Sequence, residues 1–516
     1  MHNTDLSAPP GEGYEAYVGR IARGAGITSI GQGVSRLLGS ATQVALARMY
    51  GPAQLGFYAL GVTLVQVVNI LSQFGLDNGV VRYVAHYGAG KDVARVRGTI
   101  IQAVGAAFVF SIALSGLMFF CAGFLADKIF NKPFLETMFR CFSLALPFFT
   151  LMSMSLLATQ GFQIVKYAVY VQQVIRPLIN LGLIFVFYFF GVEILGAVAA
   201  YILSLIAGSI LALYYLVRIF PELLDRNVPA KFESRALFGA SGPMIVASST
   251  PYIIPWIAVF MLGIFTTAQD VGIYDAASRT ANLSTLVLFA FTGIFSPMIS
   301  SLYRRGLLSD LNYLYKDVSR WSFAGALALF LLTALLAKNI MAIFGGEFIS
   351  GWPVIVVVAA AQLFNSSLGP SARILAMTGH QRIIMYTTLG SAAATVVLNL
   401  LFVPAFGILG AAATTAIALI LANIVNLFFV YRGLGFWPYS REYAKPVLAG
   451  LLASIVVYLA QLAFPIPYST IGLLVFGPLF LVIFLGTFLA LGLSPSDRQL
   501  LLSFWGAVRG TLRREP

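Results

Sequence analysis

Arg36, Arg176 and Arg279 stand in stretches otherwise almost free of charge. A guanidinium stays charged at every ordinary pH and binds phosphate or carboxylate oxygens through paired N–H donors. At bilayer depth it costs about 2.5–3.5 kcal/mol on insertion scales, so it normally faces water or a partner. Asp275 precedes Arg279 by one helical turn, the spacing of an i,i+4 ion pair. Gln66, Asn69 and Gln73 recur at three and four residues and share a helix face with Asp77. Three arginines against one or two aspartates leave a net positive surface. The chemistry this offers is recognition of an anion, with a phosphate the best match to the guanidinium fork and the amides free for sugar hydroxyls. Asp77 and Asp275 are the carboxylates that could exchange a proton or hold a cation.

The elements that must position these groups follow from composition. The 516-residue chain is 59% hydrophobic and 10% charged, against about 25% charged in soluble domains. It reads as an all-α polytopic membrane protein. The net charge of +13 lies in short clusters between apolar runs and forms no stripe interleaved with aromatics, which argues for a membrane face and against nucleic acid. At about 20 apolar residues per crossing, fourteen transmembrane helices are expected, at 22–47, 53–77, 98–124, 140–162, 167–190, 194–218, 237–264, 271–299, 319–343, 353–376, 382–403, 408–431, 446–464 and 470–492. Pro404 to Gly407 and Pro465 to Pro467 divide two long uncharged runs. Of 32 Lys and Arg, five (Arg48, Lys128, Lys132, Arg140, Lys338) fall on one side and three inside spans; the rest share the side of both termini. Positive residues stay inside, so the expectation is a multi-pass protein of the cytoplasmic (inner) membrane with both termini cytoplasmic.

The chain also repeats itself. Ala53-Gln54-Leu55-Gly56-Phe57-Tyr58 returns as Ala268-Gln269-Asp270-Val271-Gly272-Ile273-Tyr274, and Gly161-Phe162-Gln163 as Gly379-His380-Gln381. Asn180-Leu181 returns as Asn399-Leu400, Phe190-Gly191 to Ala197 as Phe406-Gly407 to Ala411, and Arg218 as Arg432. Five collinear matches at a nearly constant separation imply two parallel six-helix bundles related by a pseudo-twofold along the membrane normal, plus two extra C-terminal helices. The expected organisation is a cytoplasmic N-terminal tail (1–20), an N-terminal bundle (21–220), a cytoplasmic linker (221–236), a C-terminal bundle (237–432), and helices 13 and 14 with a cytoplasmic tail (433–516). Two like halves facing each other would enclose a central cavity.

The intramembrane charges also have plainer readings. Arg36 could bond carbonyls, Gln43 or Gln66; Arg176 could bond carbonyls freed by Pro177; Asp275 and Arg279 could neutralise each other; and the amides could be helix–helix contacts. Against a purely architectural need, the repeat partners of Arg36 and Arg279 are Tyr252 and Thr63.

Other chemistry finds no support. Gly88-Ala89-Gly90-Lys91-Asp92 has Ala85 where a phosphate loop needs glycine and Asp92 where it needs Ser or Thr. Cys121, Cys141 and three scattered histidines make no metal or disulfide pattern. The sequons at Asn282 and Asn365 lie in or beside spans, and Met1 to Gly19 lacks the features of a cleavable signal peptide. A membrane polymerase or ligase would need a large outer loop with catalytic groups, yet the longest, 125–139, offers only Asp127, Lys128, Lys132 and Glu136. No enzyme and no bound cofactor or metal are expected.

Several motifs together resemble a known family. They are Ala47-Arg48-Met49-Tyr50-Gly51-Pro52 with Leu55-Gly56-Phe57-Tyr58, then Phe74-Gly75-Leu76 and Arg82-Tyr83. Gly272-Ile273-Tyr274, Ser296-Pro297, Asn399-Leu400 and Pro404 to Ala411 complete the set. In these, and in six plus six plus two helices, the chain is similar to the Wzx-type oligosaccharide flippases, the polysaccharide-transport branch of the multidrug/oligosaccharidyl-lipid/polysaccharide exporter superfamily. The resemblance implies flipping of a polyprenyl-diphosphate-linked oligosaccharide from the cytoplasmic to the outer leaflet by alternating access, for surface polysaccharide biosynthesis. It implies membrane lipid and other polysaccharide-assembly membrane proteins as partners, and coupling to an H+ or Na+ gradient. The alternative on the same fold is a MATE-like antiporter exchanging small molecules or drugs for cations.

Overall fold

The computed structural model describes residues 14–233, 254–466 and 468–492, and every regular element among them is helical. In a bilayer this is the one open-chain solution that pairs every backbone group internally. In chain order the α-helices of ten or more described residues are α1 (Tyr14–Gln73), α2 (Leu76–Ala89), α3 (Val93–Phe124), α4 (Phe134–Ser143), α5 (Ala145–Gly161), α6 (Arg176–Phe189), α7 (Ile194–Ile219), α8 (Ile254–Phe265), α9 (Ala268–Ala281), α10 (Thr285–Arg304), α11 (Leu308–Leu335), α12 (Trp352–Ser367), α13 (Gln381–Leu434), α14 (Ala444–Ala463) and α15 (Thr470–Ala490). Large apolar side chains cover the outside; Phe120 and Phe189 are each 83% exposed, as lipid-facing residues should be.

Ten helical runs among the described residues are long and apolar enough to cross a membrane. Two of them each take in two of the fourteen expected spans. α1 runs through Gly51 (φ 79°, ψ 176°) and α13 through Gly407 (φ 55°, ψ −130°), neither of which is helical. At Gly407 the chain folds back on itself, because Gly410 lies against the carbonyl of Phe402. Gly191, the repeat partner of Gly407, also has a positive φ, 73°. Only glycine adopts this region without strain, which explains why the turn glycine recurs in both halves.

Two other expectations change. The span at 271–299 is not continuous: α9 ends at Ala281, a 3₁₀ turn covers Asn282–Ser284, and α10 begins at Thr285. Asp77 does not end the second span. Phe74 (φ 52°) and Gly75 (φ 71°) are both left-handed, so the helix stops at Gln73 and Asp77 falls in the first turn of α2. There its charge favours the helix N-terminus. The span expected at 237–264 is described only over α8, while 1–13, 234–253 and 493–516 lie outside the described residues.

The contacts divide the chain into two units. The first holds the described residues up to Leu283 together with Met385–Ala418. Its apolar packing includes Leu76, Val80 and Val84 of α2 against Ile100 of α3, Met154 of α5 and Leu216 of α7. Part of the linker after α7 is strapped onto the start of α3: Lys231 N–H donates to the Ala94 carbonyl at 3.0 Å, and Arg95 pairs with Glu233 at 2.9 Å. The Tyr87 hydroxyl donates to Glu233; burial first and then this carboxylate push the phenol up to about 12. The second unit holds Ser284–Ile384 and the described residues from Leu419 onward. In it Phe476, Phe480 and Phe484 of α15 and Ala449, Ala453 and Val457 of α14 pack with Ala328 of α11.

Inside the first unit, α1 and α9 cross at van der Waals distance through a pair of glycines. A Cβ on Gly56 would lie 1.8 Å from the Ala268 carbonyl oxygen, and one on Gly272 would lie 2.0 Å from that of Pro52. The contact is reciprocal, since Gly56 and Gly272 are repeat partners and each meets the carbonyl four residues before the other. Small residues allow this approach between membrane helices. Gly272→Val should therefore lower stability by about 1–3 kcal/mol, read as an earlier loss of the monodisperse peak when detergent-solubilised protein is heated. Gly105→Val is the control, because its Cβ meets nothing within 4 Å, and it should shift stability by no more than about 0.5 kcal/mol.

Candidate functional site

Both arms of α1 line one cavity of about 370 Å³. A straight helix would place Arg36 and Gln66 about 45 Å apart, so the chain must double back at Gly51 for both to reach it. The remaining wall comes from Arg176, Pro177 and Asn180 of α6, Tyr201 of α7, Asp275 and Arg279 of α9, and Asn282 just beyond. All these residues belong to the first unit, and they come from both halves of the sequence repeat.

Asp275 is the most enclosed charge in the wall. Its side chain is 7% exposed, and each oxygen has a donor: Arg279 Nε to Oδ1 at 2.8 Å and Gln43 Nε2 to Oδ2 at 2.9 Å. Arg279 is half exposed, and Nε makes its only side-chain hydrogen bond among the described residues. The two terminal nitrogens make no hydrogen bond among the described residues, on a side chain that lines the cavity. Arg36 has one foot in its plainer reading, for Nη1 donates to the Asn282 carbonyl at 3.2 Å, where α9 has just ended and carbonyls carry partial negative charge.

Arg176 follows a π-helical stretch, Val169–Ile175, and precedes Pro177 at the start of α6. A π-turn widens the helix and proline brings no N–H of its own, so the local backbone swings this side chain inward. Its guanidinium carbon lies 5.7 Å from the centroid of the Tyr201 ring, and its Nε is buried with no hydrogen-bond partner among the described residues. Asn180, one turn on, is likewise buried with its amide oxygen unpartnered among the described residues. The Gln66 amide oxygen accepts from Trp256 Nε1 at 3.0 Å, which leaves its NH2 as the group for the cavity.

Of the residues singled out by type and spacing, Arg36, Arg176, Arg279, Gln66 and Asp275 converge on this cavity, whereas Asn69, Gln73 and Asp77 do not line it. The Asn69 side chain accepts from Thr150 at 2.9 Å, and Thr150 in turn bonds Ser72 at 2.7 Å, so it joins α1 to α5. Gln73 is the last residue of α1, and the left-handed turn that follows carries Asp77 away from its face. Sequence reasoning passed over Asn180 as a site residue and gave Gln43 only as a neighbour of Arg36. Their signal was there: Gln43 lies on the Arg36 stripe at i+7, and Asn180 is Arg176 plus four. Tyr58 and Tyr201 carry no such signal.

The wall thus presents donors, while its one carboxylate is already engaged by Arg279 and Gln43. Such a surface offers positive charge and paired N–H donors of the kind that match an anion's oxygens. Among the described residues no group of three or more His, Cys, Asp or Glu is placed to hold a metal ion. A single cysteine at Ser40, with Cys121 and Cys141 changed to Ser, should react about tenfold faster with an anionic than with a cationic methanethiosulfonate of matched intrinsic reactivity. Equal rates would mean that the cavity carries no positive field.

Comparison with known proteins bears on the same region. A sequence model of the polysaccharide biosynthesis protein family matches residues 21–303, which contain every cavity residue named above. The probable low-salt glycan biosynthesis flippase Agl15 of Haloferax volcanii is 25% identical over 261 residues, covering 49% of this chain and 55% of that protein. Among solved structures, the lipid II flippase MurJ in an inward closed conformation superposes with a TM-score of 0.69 at 14% identity, over 89% of this chain and 97% of that one. An inward-facing multidrug resistance MATE family transporter of the MOP superfamily gives 0.64 at 15% identity, over 78% and 94%. These likenesses establish a shared fold, and the family match, which spans more than half of the sequence, establishes kinship: the chain is a multi-pass membrane protein belonging to the polysaccharide biosynthesis protein family.

Proposed function

We propose that this protein is a flippase that carries a polyprenyl-diphosphate-linked oligosaccharide from the cytoplasmic to the outer leaflet by alternating access, for surface polysaccharide biosynthesis. The observation that carries the reading is the convergence of Arg36, Arg176 and Arg279 on one cavity inside apolar helices. A diphosphate is the part of such a cargo that crosses hydrocarbon least readily, and guanidinium forks match its oxygens. Gln66 and Asn180 would meet the first sugar. Family membership and the flippase names of relatives point the same way. A cationic drug would meet like charge in this cavity, so the antiporter alternative is not favoured.

In this reading the chain sits in the cytoplasmic membrane with both termini inside, as fourteen helices in two six-helix bundles and a C-terminal pair. The test is complementation of a flippase-deleted strain of defined surface glycan, scoring surface polymer and trapped lipid-linked precursor. Wild-type protein should restore polymer. The triple variant Arg36→Gln, Arg176→Gln, Arg279→Gln, present at wild-type levels in the membrane, should lose at least about 99% of transport, since each lost charge-assisted contact is worth about 1.5–3 kcal/mol. Full rescue by the triple variant would overturn the diphosphate grip.

A further inference from the structure

A cavity that attracts its cargo too strongly releases it slowly, and Asp275 addresses that. We propose that Asp275 is a built-in counter-charge that weakens the cavity's hold on anionic cargo enough for release, a role that rests on the anion-binding reading above. Three features carry it. The carboxylate is fixed in the wall, with both oxygens held by Gln43 and Arg279, so it cannot swing away when an anion enters. It meets Arg279 at Nε, side-on, so it leaves the terminal fork open and does not block the site. Among the described residues lining the cavity it is also the only acid, which sets one negative charge against three positive ones.

The pair therefore does two things at once. Asp275 aims the Arg279 fork, and its charge opposes any phosphate bound to that fork at close range in a poorly screened site. For a substrate carrying two or more negative charges the repulsion outweighs the aiming, because it scales with the charge on the cargo while the aiming is one hydrogen bond. A transporter profits from the balance: binding that is too tight slows exit, just as conduction through channels requires sites that can be left. Asp275 is thus a tuning residue for the cargo.

The experiment uses the full-length protein in lipid nanodiscs, with inorganic pyrophosphate and farnesyl diphosphate as probes and calorimetry and stopped-flow dissociation as readouts. Asp275→Asn keeps the shape and a hydrogen-bond acceptor but removes the charge. It should bind both probes about tenfold more tightly, through slower dissociation, while transport in the complementation assay falls. Asp275→Glu should bind as wild type. A merely structural role would instead weaken binding and transport together. Ser40→Asp, which adds a second counter-charge to the same wall, should weaken pyrophosphate binding in the wild-type background and restore wild-type affinity in Asp275→Asn; it gives a reading even where the Asn variant does not fold. If Arg279→Gln binds pyrophosphate as well as wild type, the anion reading itself fails. If binding depends on Arg279 but Asp275→Asn is no tighter, only the counter-charge role fails.

Discussion

An ionised group within the hydrocarbon layer must be given water, a partner, or both. Asp275 is where this constraint acts most strongly, because a carboxylate only 7% exposed would be costly without donors on both oxygens. Its two donors come from different helices. Gln43 reaches it only because α1 and α9 run close together, and they run close because Gly56 and Gly272 have no side chains at the crossing. The glycine pair, the enclosed carboxylate and the Arg279 side chain are therefore one arrangement: the backbone approach allows the polar contact, and the polar contact holds the cation in the cavity wall.

The cavity is asymmetric although the chain is repeated. Gly56 and Gly272 face each other as equivalents, and Gly191 and Gly407 share a positive φ. The charges do not follow this symmetry. Thr63, the repeat partner of Arg279, is buried and returns its hydroxyl to the Ala59 carbonyl of its own helix at 2.7 Å. Duplication supplies the scaffold, and divergence at single positions supplies the positive field.

Apolar runs long enough to cross a bilayer are visible in composition, and the turn glycines mark where two of those runs break, so the all-helical, multi-pass character was legible. The errors fell where local backbone geometry overrides pattern. Nothing in Phe74-Gly75 distinguishes a continuing helix from two consecutive left-handed residues, so Asp77 was placed on a face it does not share. The arginines were legible because charge in an apolar run is conspicuous, and Arg36-Ser40-Gln43 forms a polar stripe at helical spacing. Asn69 was not separable from Gln66 by spacing; only its bond to Thr150 shows that it joins helices. Tyr201, which stacks on Arg176, comes from a helix whose register against α6 no single-helix pattern encodes.

The Arg36 bond to Asn282 spans 246 residues of chain. At synthesis rates of about 5–20 residues per second, roughly 12–50 s separate the two. For that interval the nascent first span holds a guanidinium whose bond to Asn282 cannot yet form. This contact between the first span and the end of α9 is therefore completed late, once the second half of the repeat has followed the first into the membrane.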